Sequence, residues 1–273
     1  LSLARLEARF LLLGDAAFAG LWSERAARAQ EALDGLAPFL TTKRERAVLG
    51  DIPRAFGEYR EVVGREHLSK ALERGKGVIL YTGHFAGLEI CGRLLKGLIP
   101  RFVCMYSHRS NPLVDEIQRR GRERCAHETI PSDDVRALLA SLKSNAAVWY
   151  ASDQVDTSSH AALIPFFAEP AMTSTAASRI ARVSGATVIP FSYRRLPRTA
   201  RYELRFDAPL EGLPTEDAAA DTRRLVAKLE QFVRIAPEQY FWTHKRFKGR
   251  PGLPDPYVRR EDAPRVGSEL GAR

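Results

Sequence analysis

The sequence predicts an α/β fold: a single domain with a largely parallel central sheet flanked by helices, preceded by a helical N-terminal segment. Three observations predict it. Short apolar runs rich in strand formers recur from residue 78 onward, each too brief for a helix. Stretches of helical character separate them. The runs are apolar at successive positions rather than alternating, which marks strands covered on both faces, the habit of a parallel sheet.

In chain order, Leu3, Leu6, Phe10, Leu13 and Ala17 form one apolar stripe at helical spacing, with Arg5, Arg9 and Asp15 off it. Such a helix packs on the core, lies on a bilayer or lines an acyl-chain groove. Glu7, Arg9, Asp15, Glu24 and Arg25 interrupt every run in the first forty residues, so no stretch reaches the roughly 20 apolar residues of a membrane span. The segment does not read as a signal peptide. The first residue is Leu1 and not Met, so an upstream segment is expected. Residues 41–66 are charged and aperiodic, a connection plus a short helix.

The pattern sharpens at residue 67. Helix 67–74 ends at Gly75-Lys76-Gly77, and Val78–Thr82 follows as a strand. Helix 85–96, strand 102–106, helix 112–125, helix 133–142, strand 146–151, helix 173–183 and strand 186–193 continue the alternation. The proline-rich stretch from residue 251 reads as a poorly ordered end. The boundaries are thus 1–64 for the helical segment, 65–257 for the domain and 258–273 for a disordered tail.

Composition narrows the function classes. The 273 residues are 45% hydrophobic and 27% charged, ordinary for a globular protein and inconsistent with wholesale disorder, collagen or coiled coil. Three cysteines at wide spacings, with no CxxC pair, argue against a disulfide framework or structural zinc and for a reducing compartment. The net charge of +9 points to an anionic partner: nucleic acid, a membrane surface or a phosphorylated substrate. GxSxG, P-loop, HExxH and strand-linked GxGxxG signatures are missing, and six scattered histidines argue against a metal site. No metal or cofactor is expected.

One constellation remains. Strand 78–82 runs into Gly83-His84-Phe85-Ala86-Gly87-Leu88-Glu89, which places His84 at a strand's carboxyl end, where parallel sheets bind ligands. Glu89 falls in an apolar helix start, where a carboxylate needs a partner. The simplest partner is the imidazole: a carboxylate on one ring nitrogen fixes the tautomer and leaves the other to accept a proton. Without a Ser or Cys nucleophile beside it, the pair suits a general base that activates an outside hydroxyl. Gly83 and Gly87 would let a substrate approach the backbone. A capping histidine with an exposed glutamate is the plainer alternative.

Other segments carry charge. Arg119–Arg124 is a solvated helix face or a phosphate contact. Residues 240–250 mix His244, Lys245, Arg246, Lys248 and Arg250 with Tyr240, Phe241, Trp242 and Phe247, as suits a lipid headgroup boundary or single-stranded nucleic acid. Asp153 and Gln154 again follow a strand. Thr173-Ser174-Thr175 caps a helix or holds an anion at its start.

Together these residues resemble the late acyltransferases of lipid A biosynthesis, within the wider lysophospholipid acyltransferase group. GVILYTGHFAGLE (77–89), NPLVDEIQRRGRER (111–124), VWYASDQ (148–154), PFFAEPAMTST (165–175), ARVSGATVIPF (181–191) and APEQYFWTHKRFKGRP (236–251) run in the family's order. The resemblance implies a glycerolipid acyltransferase-like fold over 65–257. It implies transfer of a fatty acyl group from acyl carrier protein or acyl-CoA to a hydroxyl of a phosphorylated glycolipid, at an anionic membrane surface. The expected place is the cytoplasmic face of the bacterial inner membrane, with peripheral attachment and no nucleic-acid partner. The family's His-x4-Asp/Glu motif maps onto His84 and Glu89 as the catalytic pair. The matched segments nominate Gly83, Phe85, Gly87, Asn111, Arg122, Asp153, Gln154, Thr173, His244 and Arg246 as substrate contacts, and the family's Tyr-Arg-Pro position ahead of Asn111 adds Tyr106 and Arg109. One departure stands out: the family's Tyr-Arg-Pro becomes Tyr106-Ser107-His108, with Arg109 two residues later. Either Arg109 substitutes through a shifted loop or that contact is absent.

Overall fold

A computed structural model describes residues 60–107, 111–199 and 201–257. The N-terminal stripe, Arg109 and the 258–273 tail lie outside these residues. The described chain opens with β1 (Arg60–Val63) and α1 (Arg65–Glu73), then β2 (Val78–Thr82), α2 (Leu88–Lys96), β3 (Phe102–Tyr106), α3 (Pro112–Cys125) and β4 (Glu128–Pro131). It continues through α4 (Val135–Lys143), β5 (Ala147–Ala151), β6 (Ala161–Phe166), β7 (Glu169–Ser174), α5 (Ala176–Ser184), β8 (Thr187–Arg195), β9 (Tyr202–Phe206) and α6 (Ala218–Ile235).

Seven strands form one sheet in the order β1-β9-β8-β2-β5-β3-β4. From β8 to β4 all neighbours are parallel, β9 turns antiparallel to β8, and β1 pairs parallel with β9. The expected fold class is therefore present. Burial follows the residue pattern: every side chain of β2 is buried, and so are the first seven of β8, because both faces are covered. Phe102, Leu80, Ile189, Phe191 and Phe206 fill the centre.

Helix ends are set locally. Asn111 Oδ1 accepts the Leu113 amide ahead of α3, whose first residue is Pro112, and Asp134 and Asp217 cap α4 and α6 the same way. α6 buries Leu225, Val226, Leu229, Phe232 and Val233 along one face.

Several expectations are corrected. Residues 60–63 are a strand, not part of a short helix. The helix expected from residue 85 starts at Leu88, because Gly87 sits at φ 85°, a left-handed turn that ends the incoming segment. Thr173 and Ser174 belong to β7, and Thr175, at the start of α5, makes no side-chain cap. The β6–β7 hairpin stands apart from the main sheet. Residues 251–257 form turns, and the Tyr257 hydroxyl accepts the Phe247 amide at 3.2 Å, tying this stretch back to the chain before it.

Candidate active site

Sheet register brings the key residues together. β2 and β5 are neighbours with Thr82 opposite Ala151, so the residues two further along, His84 and Asp153, leave the sheet at the same level. Their side chains meet. His84 Nδ1 lies 2.6 Å from Asp153 Oδ1, and the His84 backbone N–H donates to Oδ2 at 2.7 Å. The carboxylate is 3% exposed and the imidazole 22%. The carboxylate acceptor fixes the proton on Nδ1, and Nε2 has no protein partner among the described residues.

Burial opposes the charge on Asp153, but the His84 ring, the His84 amide and the Tyr240 hydroxyl outweigh it and hold the carboxyl below its usual range. Tyr240 in turn resists ionisation because it is buried and faces that carboxylate.

The sequence reading has Glu89 hold the imidazole. The structure gives that bond to Asp153. Glu89 Oε1 instead lies 3.4 Å from Arg122 Nε, in an ion pair at the start of α2. Trp149 links the two pairs: its ring meets His84 edge-on at 5.4 Å, and the Arg122 guanidinium lies 5.9 Å from its centroid.

The glycines serve packing. A Cβ at Gly83 would come within 3.0 Å of Asp153 Oδ2 and 2.8 Å of Leu229 Cδ1, so the room expected for substrate is already filled. A Cβ at Gly87 would lie 3.0 Å from the Tyr202 ring. Phe85 is buried between the Tyr193 and Tyr240 rings, and its amide donates to Tyr193 Oη at 3.1 Å. Tyr106, at the end of β3, is buried, with its carbonyl taking the Ser132 amide.

Four further nominees make a clamp behind the dyad. Arg246, 5% exposed, donates to the carbonyls of Gln154 and Met172 and to Thr173 Oγ1. His244 Nε2 accepts the Val155 amide at 3.1 Å, and burial pushes its pKa down. Arg246 and His244 thereby pin the loop that follows Asp153 to the 240–250 segment. Thr173 is buried under Arg246; Gln154 keeps an exposed side chain. Asn111 acts as a cap, as described above.

Trp149 and Tyr240 are the residues that sequence reasoning missed. Trp149 lies in a run that reads as a strand, and Tyr240 reads with the cations of 240–250 as a headgroup boundary, so the sequence ties neither to the imidazole or its acid partner.

The cysteines offer no ready nucleophile. Cys91, Cys104 and Cys125 are buried and free, and burial pushes the Cys104 thiol up to about 12. Such thiols stay protonated. No group of three or more His, Cys, Asp or Glu able to hold a metal occurs among the described residues. Cavities of about 500 Å³ by Lys70 and Arg74 and about 610 Å³ by His160 and Arg179 do not include the dyad. The arrangement is a histidine with an oriented tautomer and one free nitrogen, able to deprotonate an external hydroxyl.

Known proteins share this layout of sequence. Residues 44–249 match the family described as bacterial lipid A biosynthesis acyltransferase. The lipid A biosynthesis lauroyltransferase of Escherichia coli K12 is 34% identical over 206 residues, 75% of this chain and 67% of that protein. The palmitoleoyltransferase of the same organism is 34% identical over 70% of this chain and 62% of its own length. The myristoyltransferase is 26% identical over 72% and 62%. This chain thus matches roughly two thirds of the length of these relatives. With the family pattern covering most of the chain, the protein belongs to the bacterial lipid A biosynthesis acyltransferase family.

Proposed function

We propose that the protein transfers a fatty acyl chain from an acyl thioester, carried by acyl carrier protein or coenzyme A, to a hydroxyl of a phosphorylated lipid A precursor. The setting is the cytoplasmic face of the inner membrane, where the protein is peripheral. The observation that carries this reading is the His84–Asp153 pair with its unpartnered Nε2. Nε2 takes the proton of the acceptor hydroxyl while that oxygen attacks the thioester carbonyl. Asp153 keeps the proton on Nδ1 and stabilises the imidazolium. The carbon–sulfur bond then breaks, and the imidazolium returns its proton to the departing thiolate. The buried, protonated cysteines support direct transfer without an acyl-enzyme.

Arg122 is the cation that Trp149 connects to the imidazole, and Glu89 orients it. In this reading it faces negative charge on the acceptor or the developing oxyanion. Among the described residues no helix is long and apolar enough to cross a membrane, which is compatible with peripheral attachment.

His84→Ala is expected to lower transfer at least about a hundredfold, as loss of a general base does, with folding unchanged by circular dichroism. Full activity in that variant would end the mechanism. Ser107, where the family carries arginine, favours a second reading in which the acceptor is another lysolipid or glycolipid. Mass spectrometry of lipids from cells lacking the protein separates the two: lipid A short of one acyl chain supports the first, unchanged lipid A the second.

A further inference from the structure

Most aromatic side chains at the catalytic end of the sheet are buried, but Trp242 is 54% exposed. Its indole N–H donates to the Pro237 carbonyl at 2.7 Å, and its ring meets Tyr240 edge-on at 4.9 Å. Tyr240 contacts Phe85, the residue after His84, at 5.4 Å. Trp242 therefore sits two ring contacts from the catalytic loop, on the same end of the sheet. Ile235, the last residue of α6, is 47% exposed.

A third apolar group joins them. Phe167, at the tip of the β6–β7 hairpin, is half-buried against the core, and its ring lies 6.2 Å from that of Trp242. Phe167 and Ala168 hold φ of 50° and 69° without a glycine, a conformation that costs energy for side-chain-bearing residues. Glu230 accepts the Phe167 amide at 2.9 Å and the Arg234 guanidinium covers the ring at 4.8 Å, which fixes the strained tip in place. Charge follows the same stretch: residues 234–248 contain Arg234, Lys245, Arg246 and Lys248 against the single acid Glu238. Of the cations, Arg234, Lys245 and Lys248 are exposed.

We infer that Trp242, Ile235 and Phe167, rimmed by Arg234, Lys245 and Lys248, form a surface that seats on the anionic headgroup layer of a bilayer and turns the His84 end of the sheet toward it. An indole with its apolar body outward and cations beside it suits the headgroup boundary. A headgroup layer offers anionic charge above an apolar interior, which matches apolar side chains set inside a cationic rim; an acidic protein on the same face is the alternative that the acyl carrier protein arm of the test detects. The inference rests on the acyltransferase reading only for why the His84 end should face lipid; seating itself is measurable without turnover.

The test uses the full chain and vesicles of equal parts phosphatidylcholine and phosphatidylglycerol. Brominated phosphatidylcholine is expected to quench a share of the tryptophan emission that disappears in Trp242→Phe. The double variant Trp242→Ala/Ile235→Ser is expected to need about tenfold more lipid for half-maximal sedimentation with vesicles. Its turnover of a detergent-solubilised acceptor should equal the parent's. The inference is overturned if the brominated lipid leaves Trp242 emission untouched, or if the double variant sediments like the parent. It is also overturned if the variant loses acyl carrier protein binding while keeping vesicle binding. A parent protein that shows the quenching yet transfers no acyl group would uphold the surface and remove the reaction.

Discussion

Two carboxylates flank the candidate site, and they live in different physics. Asp153 is nearly inaccessible, accepts bonds from both the ring and the backbone of His84, and is held ionised against the cost of burial. Glu89 is 40% exposed and paired with one guanidinium at 3.4 Å. Glu89 is close to His84 along the chain, whereas Asp153 lies 69 residues away and reaches it through the β2–β5 ladder. The difference teaches that a parallel sheet sets neighbours by strand order and register. Closeness along the loop counts for less.

That comparison can be broken. The largest effect is expected for Asp153→Asn, which keeps the shape but turns an amide toward the imidazole N–H or the backbone N–H. Transfer should fall at least about a hundredfold, as with other orienting carboxylates, and steady-state kinetics on the purified variant would show it. Unchanged kcat would mean that Glu89, after all, serves the imidazole.

A smaller effect sharpens the contrast. Glu89→Gln should cost about tenfold, and adding Arg122→Gln should add little, because both remove one ion pair. Glu89→Gln combined with Asp153→Asn should instead multiply. A double-mutant cycle that couples Glu89 to Asp153 and not to Arg122 would contradict the separation of the two pairs.

The smallest effect concerns stability against acid. The folded-state pKa of Asp153 is depressed below the roughly 3.9 of an unfolded aspartate, so its ionised form stabilises the fold above that value. The contribution fades as pH falls from there through the folded value. Denaturant unfolding below about pH 4 should therefore show a shallower loss in Asp153→Asn than in the parent. Equal slopes would show that the carboxylate gains nothing from its partners.

What could be read from sequence follows the same division. β2, β3, β5 and β8 were legible because a strand buried on both faces must be apolar throughout. β1 and β9 carry Arg60, Glu61, Glu203 and Arg205 at the antiparallel edge of the sheet, so they lack that mark. The β6–β7 hairpin turns at Phe167-Ala168, where no glycine or asparagine signals a turn, and two opposed prolines, Pro165 and Pro170, disguise the strands. His84 was legible at a strand's end, and Asp153 was legible at another. Their partnership was not, because nothing in the chain states that β5 lies beside β2.

The Arg246 clamp has a consequence for biosynthesis. The loop that aims the acid at the base is tied down by a side chain that the ribosome adds 92 residues after Gln154, close to the end of the described chain. The strands of the sheet all precede residue 207 in the chain, so they can pair before the loop carrying Asp153 gains the support of Arg246. A chain cut before residue 240 would thus lack both the Arg246 side chain that holds this loop and the Tyr240 ring that packs against Phe85.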